Sequence, residues 1–160
     1  MFKRIFFFPL LLLSFAAFSQ EIKKIKITDL AKTIAETKTP LIVNFWATYC
    51  LPCMHEIPYF QETVKKYEQE GLTIIFVSLD LREAYPAKIS STAKKLKLAY
   101  PIAWLDETDA DYFCPLIDKS WSGGLPSTLF INPKNNYRKF VEDELTREKF
   151  EKVVGEMMAY

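Results

Sequence analysis

The chain has little of what flexible, metal-binding or polyanion-binding proteins use. Four glycines in 160 residues make long flexible joints improbable. A single histidine and three cysteines leave few soft ligands for a transition metal. The formal net charge is only +1, so no bulk attraction to nucleic acid is expected. The cysteine count is odd, which excludes a complete set of structural bridges within one chain. No internal repeat, low-complexity block or interior linker appears. What is present, 49% hydrophobic and 15% aromatic residues, suffices for one compact core.

The first residues, "MFKRIFFFPLLLLSFAAFSQ", stand apart. Lys3 and Arg4 give a positive start, residues 5–15 an apolar run, and Ala17 and Ser19 small residues at the spacing that signal peptidase favours. A removable secretory signal over residues 1–19 is expected, followed by one domain over residues 20–160. The alternative is a membrane anchor, but the apolar stretch is short for a span and Pro9 interrupts it. No cysteine lies at this segment to carry a lipid. An address outside the cytoplasm permits disulfides.

Beyond it, "EIKKIKI" reads as a short strand and "TDLAKTIAETK" as a helix capped by Thr28 or Asp29, with Leu30, Ile34 and Ala35 facing inward. "LIVNFWA" is a continuous β-type run suited to burial on both faces. A helix is expected over residues 52–70, ending at Gly71, and "LTIIFVSLD" forms the next strand. Strand, helix, strand at that spacing predicts a right-handed crossover with parallel strands. "PAKISSTAKKLKL", "YPIAWL" and the stretch around "DADYFCPLIDKSW" read as helix, short strand, and helix or turn. "STLFIN" and "YRKFVE" form a hairpin across "PKNN". The closing helix turns Phe150, Val153, Val154 and Met157 inward. The fold class is α/β, a mixed sheet covered by helices.

Chemistry concentrates in "FWATYCLPCMHEIP". Cys50 falls where a strand ends and a helix begins, so unpaired N–H groups and the positive helix terminus favour its thiolate. Pro52 is tolerated in the first turn. Cys53, three residues on, lies on the same helix face. Cys50 is then the attacking sulfur and Cys53 the resolving one, giving a reversible dithiol–disulfide switch. A zinc site would find only His55 and Cys114 as spare soft ligands, and a structural bridge would close too small a loop to constrain the unfolded chain.

"NFWATYCLPC" after a buried strand, with "GGLPSTLFI" far downstream, resembles the thioredoxin fold, and more narrowly the secreted thiol–disulfide oxidoreductases of the ResA/TlpA type. The resemblance covers residues 22–158. It implies a Cys50–Cys53 redox disulfide with no other cofactor and no metal, a cis bond before Pro126, and a helix-kinking proline at Pro58. It further implies a client surface comprising Trp46, Tyr49, Leu51, Pro52, Leu125 and Pro126, with the Leu125 backbone pairing to an extended peptide. Thioredoxin has an aspartate at the position of Asn44, which cannot titrate. Glu56, one turn beyond Cys53, is the expected substitute, matching a glutamate of the ResA type. Burial would raise its pKa, and a solvated carboxylate is the alternative. Tyr49 replaces thioredoxin's tryptophan. Trp46 and Trp121 read first as packing residues near the active end. His55 reads as a solvated residue, and Cys114 as buried and inert, or else as a third redox thiol.

The expected partners are protein or peptide thiols and disulfides, apocytochrome c among them, with a membrane-bound electron donor. A monomer in the bacterial periplasm, without nucleic acid, completes the expectation. A general oxidase or isomerase is the alternative. A peroxide-reducing enzyme would need a proline that "FWATYC" lacks, although Thr48 is present. A binding module with an incidental disulfide is a fourth reading.

Overall fold

Why the reactive loops gather at one place follows from the direction of each crossover. The protein, described by a computed structural model over residues 21–159, is built on a six-stranded mixed sheet. In chain order the elements are β1 (Ile22–Ile25), α1 (Ile27–Glu36), β2 (Leu41–Trp46), α2 (Leu51–Lys66), β3 (Thr73–Ser78), α3 (Ala87–Lys95), β4 (Ile102–Leu105), α4 (Ala110–Ile117), β5 (Ser127–Asn132), β6 (Tyr137–Val141) and α5 (Arg147–Met158). The sheet order is β1-β4-β3-β2-β5-β6. Strands β1 to β4 are mutually parallel; β5 adds antiparallel to β2, and β6 pairs antiparallel to β5 as the expected hairpin. The signal expected over residues 1–19 lies outside the described residues.

The crossovers β2–α2–β3 and β3–α3–β4 step across the sheet in one direction, whereas β1–α1–β2 steps in the other. Right-handed connections therefore place α2 and α3 on one face and α1 on the opposite face. The core obeys this division. One cluster joins Cys53, Ile57 and Phe60 of α2 to Ile89 of α3 and Phe150 of α5. The other joins Ile27 and Leu30 of α1 to Phe113 and Ile117 of α4. Along β2, Ile42 and Trp46 enter the first cluster, and Leu41, Val43 and Phe45 the second. Asn44 alternates with the first set, so it lies on the face covered by α2. Phe60 and Phe150 stack at 3.6 Å between centroids, holding α2 against α5.

Three local expectations are corrected. Helix α1 begins two residues earlier, with Lys26 as N-cap; Asp29 sits inside the first turn, its carboxylate accepting the Lys26 N–H at 3.4 Å. The inward face is accordingly Ile27, Leu30, Ala31 and Ile34, and Ala35 is exposed. Helix α2 stops at Lys66, and a separate 3-10 turn over Glu68–Glu70 leads to Gly71, whose φ of 89° suits glycine. Strand β1 is shorter than its sequence run and buries only Ile22 and Ile25 at its ends, as an edge strand paired to β4.

A candidate redox site at the ends of the parallel strands

The turns that follow β2, β3 and β4, and the loop that precedes β5, all emerge at one edge of the sheet. In open parallel sheets that edge is where sites form. The turn after β2 carries the cysteines. Cys50 N–H closes it by donating to Ala47 C=O at 3.0 Å, and Cys50 then caps α2. Its Sγ accepts the Cys53 N–H at 3.3 Å, so the sulfur takes one of the orphan donors of the helix terminus. The two sulfurs are bonded at 2.00 Å, with Cα atoms 5.3 Å apart. Cys50 keeps 8% of its surface exposed and Cys53 none, so an incoming group meets Cys50 first.

Asp80, which the sequence reading passed over, ties this turn to the end of β3. Its carboxylate accepts Thr48 N–H at 2.9 Å, the Thr48 hydroxyl at 2.5 Å and the Ser78 hydroxyl at 2.8 Å. Its carbonyl accepts Trp104 Nε1–H at 2.7 Å. A buried acid that satisfies three donors holds the Ala47–Cys50 turn in place. The Thr48 hydroxyl is thereby committed and is not presented to a peroxide. Asp80→Ala strands these donors in a buried site, and we expect a loss of about 3 kcal/mol in urea unfolding. An unchanged midpoint would show that the turn is held by its neighbours instead.

Glu56 is not a solvated carboxylate, for it has no exposed surface. Oε1 accepts the Leu145 N–H at 2.5 Å, and Leu145 C=O in turn accepts the Tyr59 hydroxyl at 2.5 Å. Oε2 has no partner among the described residues. Burial pushes the Glu56 pKa up to about 8; the Leu145 N–H works against that rise, and the charges of Glu144 and Asp143 add to it. At neutral pH the oxidised protein therefore holds Glu56 as the neutral acid. Asn44 donates from Nδ2 to Thr128 Oγ1 at 3.0 Å and leaves Oδ1 unpaired.

Across the cleft, the Leu125–Pro126 bond is cis, and so is Tyr85–Pro86, which no sequence signal had singled out. Glu142 braces this loop by accepting Ser122 N–H at 2.9 Å and Gly124 N–H at 2.6 Å. Among the described residues, neither the N–H nor the C=O of Leu125 has a hydrogen-bond partner. Tyr49, Leu51, Pro52, Gly123 and Leu125 line an open cleft of about 490 Å³ over Cys50. Tyr49 and Leu51 are exposed there, Pro52 and Leu125 half-buried, and Pro126 buried beneath. Trp46 departs from expectation. It is fully buried under α2 and offers a client no surface. Trp121 packs on Phe45 at 4.4 Å, and His55 is exposed.

Cys114 belongs to the cluster on the opposite face of the sheet from Cys53. Burial, reinforced by Glu142 and Asp111, pushes its thiol up to about 11, so it stays protonated at neutral pH. That environment suits an inert thiol.

The AhpC/TSA family model matches residues 12–140. The thiol–disulfide oxidoreductase ResA of Oceanobacillus iheyensis is 31% identical over 69% of this chain, and the chain spans 53% of that protein, about half its length. The ResA of Bacillus thuringiensis subsp. konkukian is 30% identical over 78% of this chain and 69% of its own. Among solved structures, a thioredoxin-related protein from Neisseria meningitidis serogroup B superposes with a TM-score of 0.62 at 25% identity, covering 76% of this chain and 86% of that one. The fold is thioredoxin-like. The chain belongs to the AhpC/TSA family and, within it, to the ResA-type thiol–disulfide oxidoreductases.

Proposed function

We propose that the protein reduces disulfides of protein clients outside the cytoplasm, cycling the Cys50–Cys53 pair between dithiol and disulfide. One observation carries this reading: an accessible sulfur at a helix N-terminus, bonded to a buried one, beside a loop whose backbone is unpaired. In the forward step the Cys50 thiolate attacks a client disulfide, forming a mixed disulfide and releasing one client thiolate. Cys53, deprotonated, then attacks Cys50 Sγ; the internal disulfide forms and the second client thiolate leaves. The client gains two electrons, and its two released thiolates take their protons from solvent. Glu56, once ionised, takes the proton of Cys53. In the reverse step, when an electron donor opens the disulfide, neutral Glu56 returns a proton to the departing Cys53 sulfur. The Leu125 backbone would hold the client as an added strand.

The remaining parts of the reading are a secretory signal over residues 1–19, one domain over 20–160, action as a monomer in the periplasm, and recharging by a membrane-bound dithiol. Cytochrome c precursors are the client that the ResA/TlpA resemblance suggests.

The reducing direction has a physical support. Leu51 and Pro52, between the cysteines, supply no positive charge, and Cys50 Sγ accepts a single backbone N–H. The neighbouring charges on Asp143 and Glu144 are acidic. A weakly stabilised thiolate leaves the dithiol readily oxidised. Equilibration with glutathione or dithiothreitol should place the couple nearer the ≈ −270 mV of thioredoxin than the ≈ −120 mV of DsbA. A potential at the DsbA end would make the protein an oxidase.

A further inference from the structure

The turns after β3 and β4 enclose a second cavity beside the disulfide, of about 320 Å³. Its walls are mixed: Leu81, Trp104 and Phe113 supply apolar faces, Asp80, Arg82, Asp106 and Glu107 supply polar ones, and it shares Tyr49, Gly123 and Leu125 with the cleft over Cys50. The two spaces therefore adjoin at those three residues. Trp104 is fixed, stacked on Tyr85 at 4.4 Å with its Nε1–H committed to Asp80 C=O. The acids around the cavity are already matched within the chain. Asp106 meets Lys24 at 3.0 Å, Lys26 at 3.2 Å and Arg82 at 3.4 Å. Glu107 accepts the Ile27 N–H at 3.3 Å, and the Asp80 carboxylate is filled by Thr48 and Ser78. At the rim, Tyr49 is 63% and Leu81 68% exposed, an unusual cost for large apolar groups with nothing laid over them.

We propose that this cavity is a client subsite for an aromatic side chain adjacent to the client cysteine. The inference rests on the oxidoreductase reading and gives it a specificity. Any polypeptide whose cysteine reaches Cys50 must cross the shared cleft, and an extended chain directs successive side chains to opposite sides. The one directed toward Leu81 and Trp104 enters the cavity. A charged group there would give up water and find every nearby acid and base engaged. An aromatic ring suits both the walls and the volume, which lies at the small end of ligand pockets and fits one side chain better than a cofactor.

The test uses the full chain in its reduced form and peptides Gly-Xaa-Cys-Xaa-Gly oxidised to their disulfide dimers, with Xaa as Phe, Ala or Asp. Rate constants for their reduction are divided by those for dithiothreitol, which removes differences in intrinsic reactivity. The Phe peptide should react about tenfold faster than the Ala peptide, and the Asp peptide slower than both. Thr108→Trp, which places a ring in the cavity from an exposed position, and Leu81→Asp, which charges its rim, should each bring the Phe-to-Ala ratio close to one. Equal rates for Phe and Ala in the unmodified protein, or a ratio that survives both substitutions, overturns the subsite. Reduction of none of the peptides would bring down the oxidoreductase reading itself, and the subsite with it.

Discussion

Cys53→Ser accumulates covalent complexes with client proteins, and Cys50→Ser accumulates none while losing insulin-disulfide reduction by about a thousandfold or more. The asymmetry follows from where the two sulfurs sit. Cys50 caps α2 beside an open cleft, whereas Cys53 is sealed under the helix with no exposed surface. An external disulfide can reach only the first. Removing the second leaves attack intact and abolishes resolution, so the mixed disulfide persists until a reductant cleaves it. Non-reducing gels read the complexes directly, with mass spectrometry locating the bond. Equal trapping by both variants would reverse the order of attack. Full insulin reduction by Cys50→Ser would reduce the disulfide to an incidental feature of a binding module.

Glu56→Gln should act in two ways that share one cause. The pKa of Glu56 in the folded, oxidised protein is about 8, above its ordinary 4.5. Between those values the folded chain keeps a proton that the unfolded chain has released. The unfolded state binds fewer protons there, so stability is full below about pH 4.5 and falls as pH rises toward 8, by at most about 1.4 kcal/mol per pH unit. Glutamine keeps the shape, can still accept the Leu145 N–H, and has no proton to lose. The variant should therefore lack this decline and be the more stable protein at pH 8, as urea unfolding at several pH values would read. The same loss removes proton exchange with Cys53, so client reduction near neutral pH should slow about tenfold to a hundredfold. The limb of the rate profile near pH 8 should vanish with it. Superimposable pH curves for the two proteins would leave Glu56 a purely structural residue and Cys53 without a named proton partner.

How much of this was legible in the sequence depended on range. The cysteine pair, the buried run of β2 and the β5–β6 hairpin are written in adjacent residues, and the expected patterns match the elements found. The side of α2 that carries Glu56 was also readable, since Cys53 and Glu56 are one turn apart. Its complete burial was not, because the cover comes from the loop ending at Leu145, far along the chain. Asp80 has no local signature. It becomes important only because β2 and β3 are neighbours, which brings the end of one strand to the turn leaving the other. The start of α1 misled for a different reason: Lys26 has no cap-forming oxygen, and the acid that serves it lies three residues on. Trp46 illustrates the limit of motif reasoning. Its place beside the cysteines in sequence suggested contact with clients, but strand alternation turns its ring beneath α2.

The sheet edge described above separates chemistry from recognition. The sulfurs come from the turn after β2 and their facing loop from the approach to β5, whereas Leu81 and Trp104 come from β4 and the turn after β3. Selection can therefore retool the clientele by rewriting the turns that follow β3 and β4 while the redox couple, its capped helix and its buried acid stay unaltered. Grafting residues 81–82 and 106–109 between relatives, with Asp80 kept, should transfer client preference and leave the potential of the cysteine pair where it was.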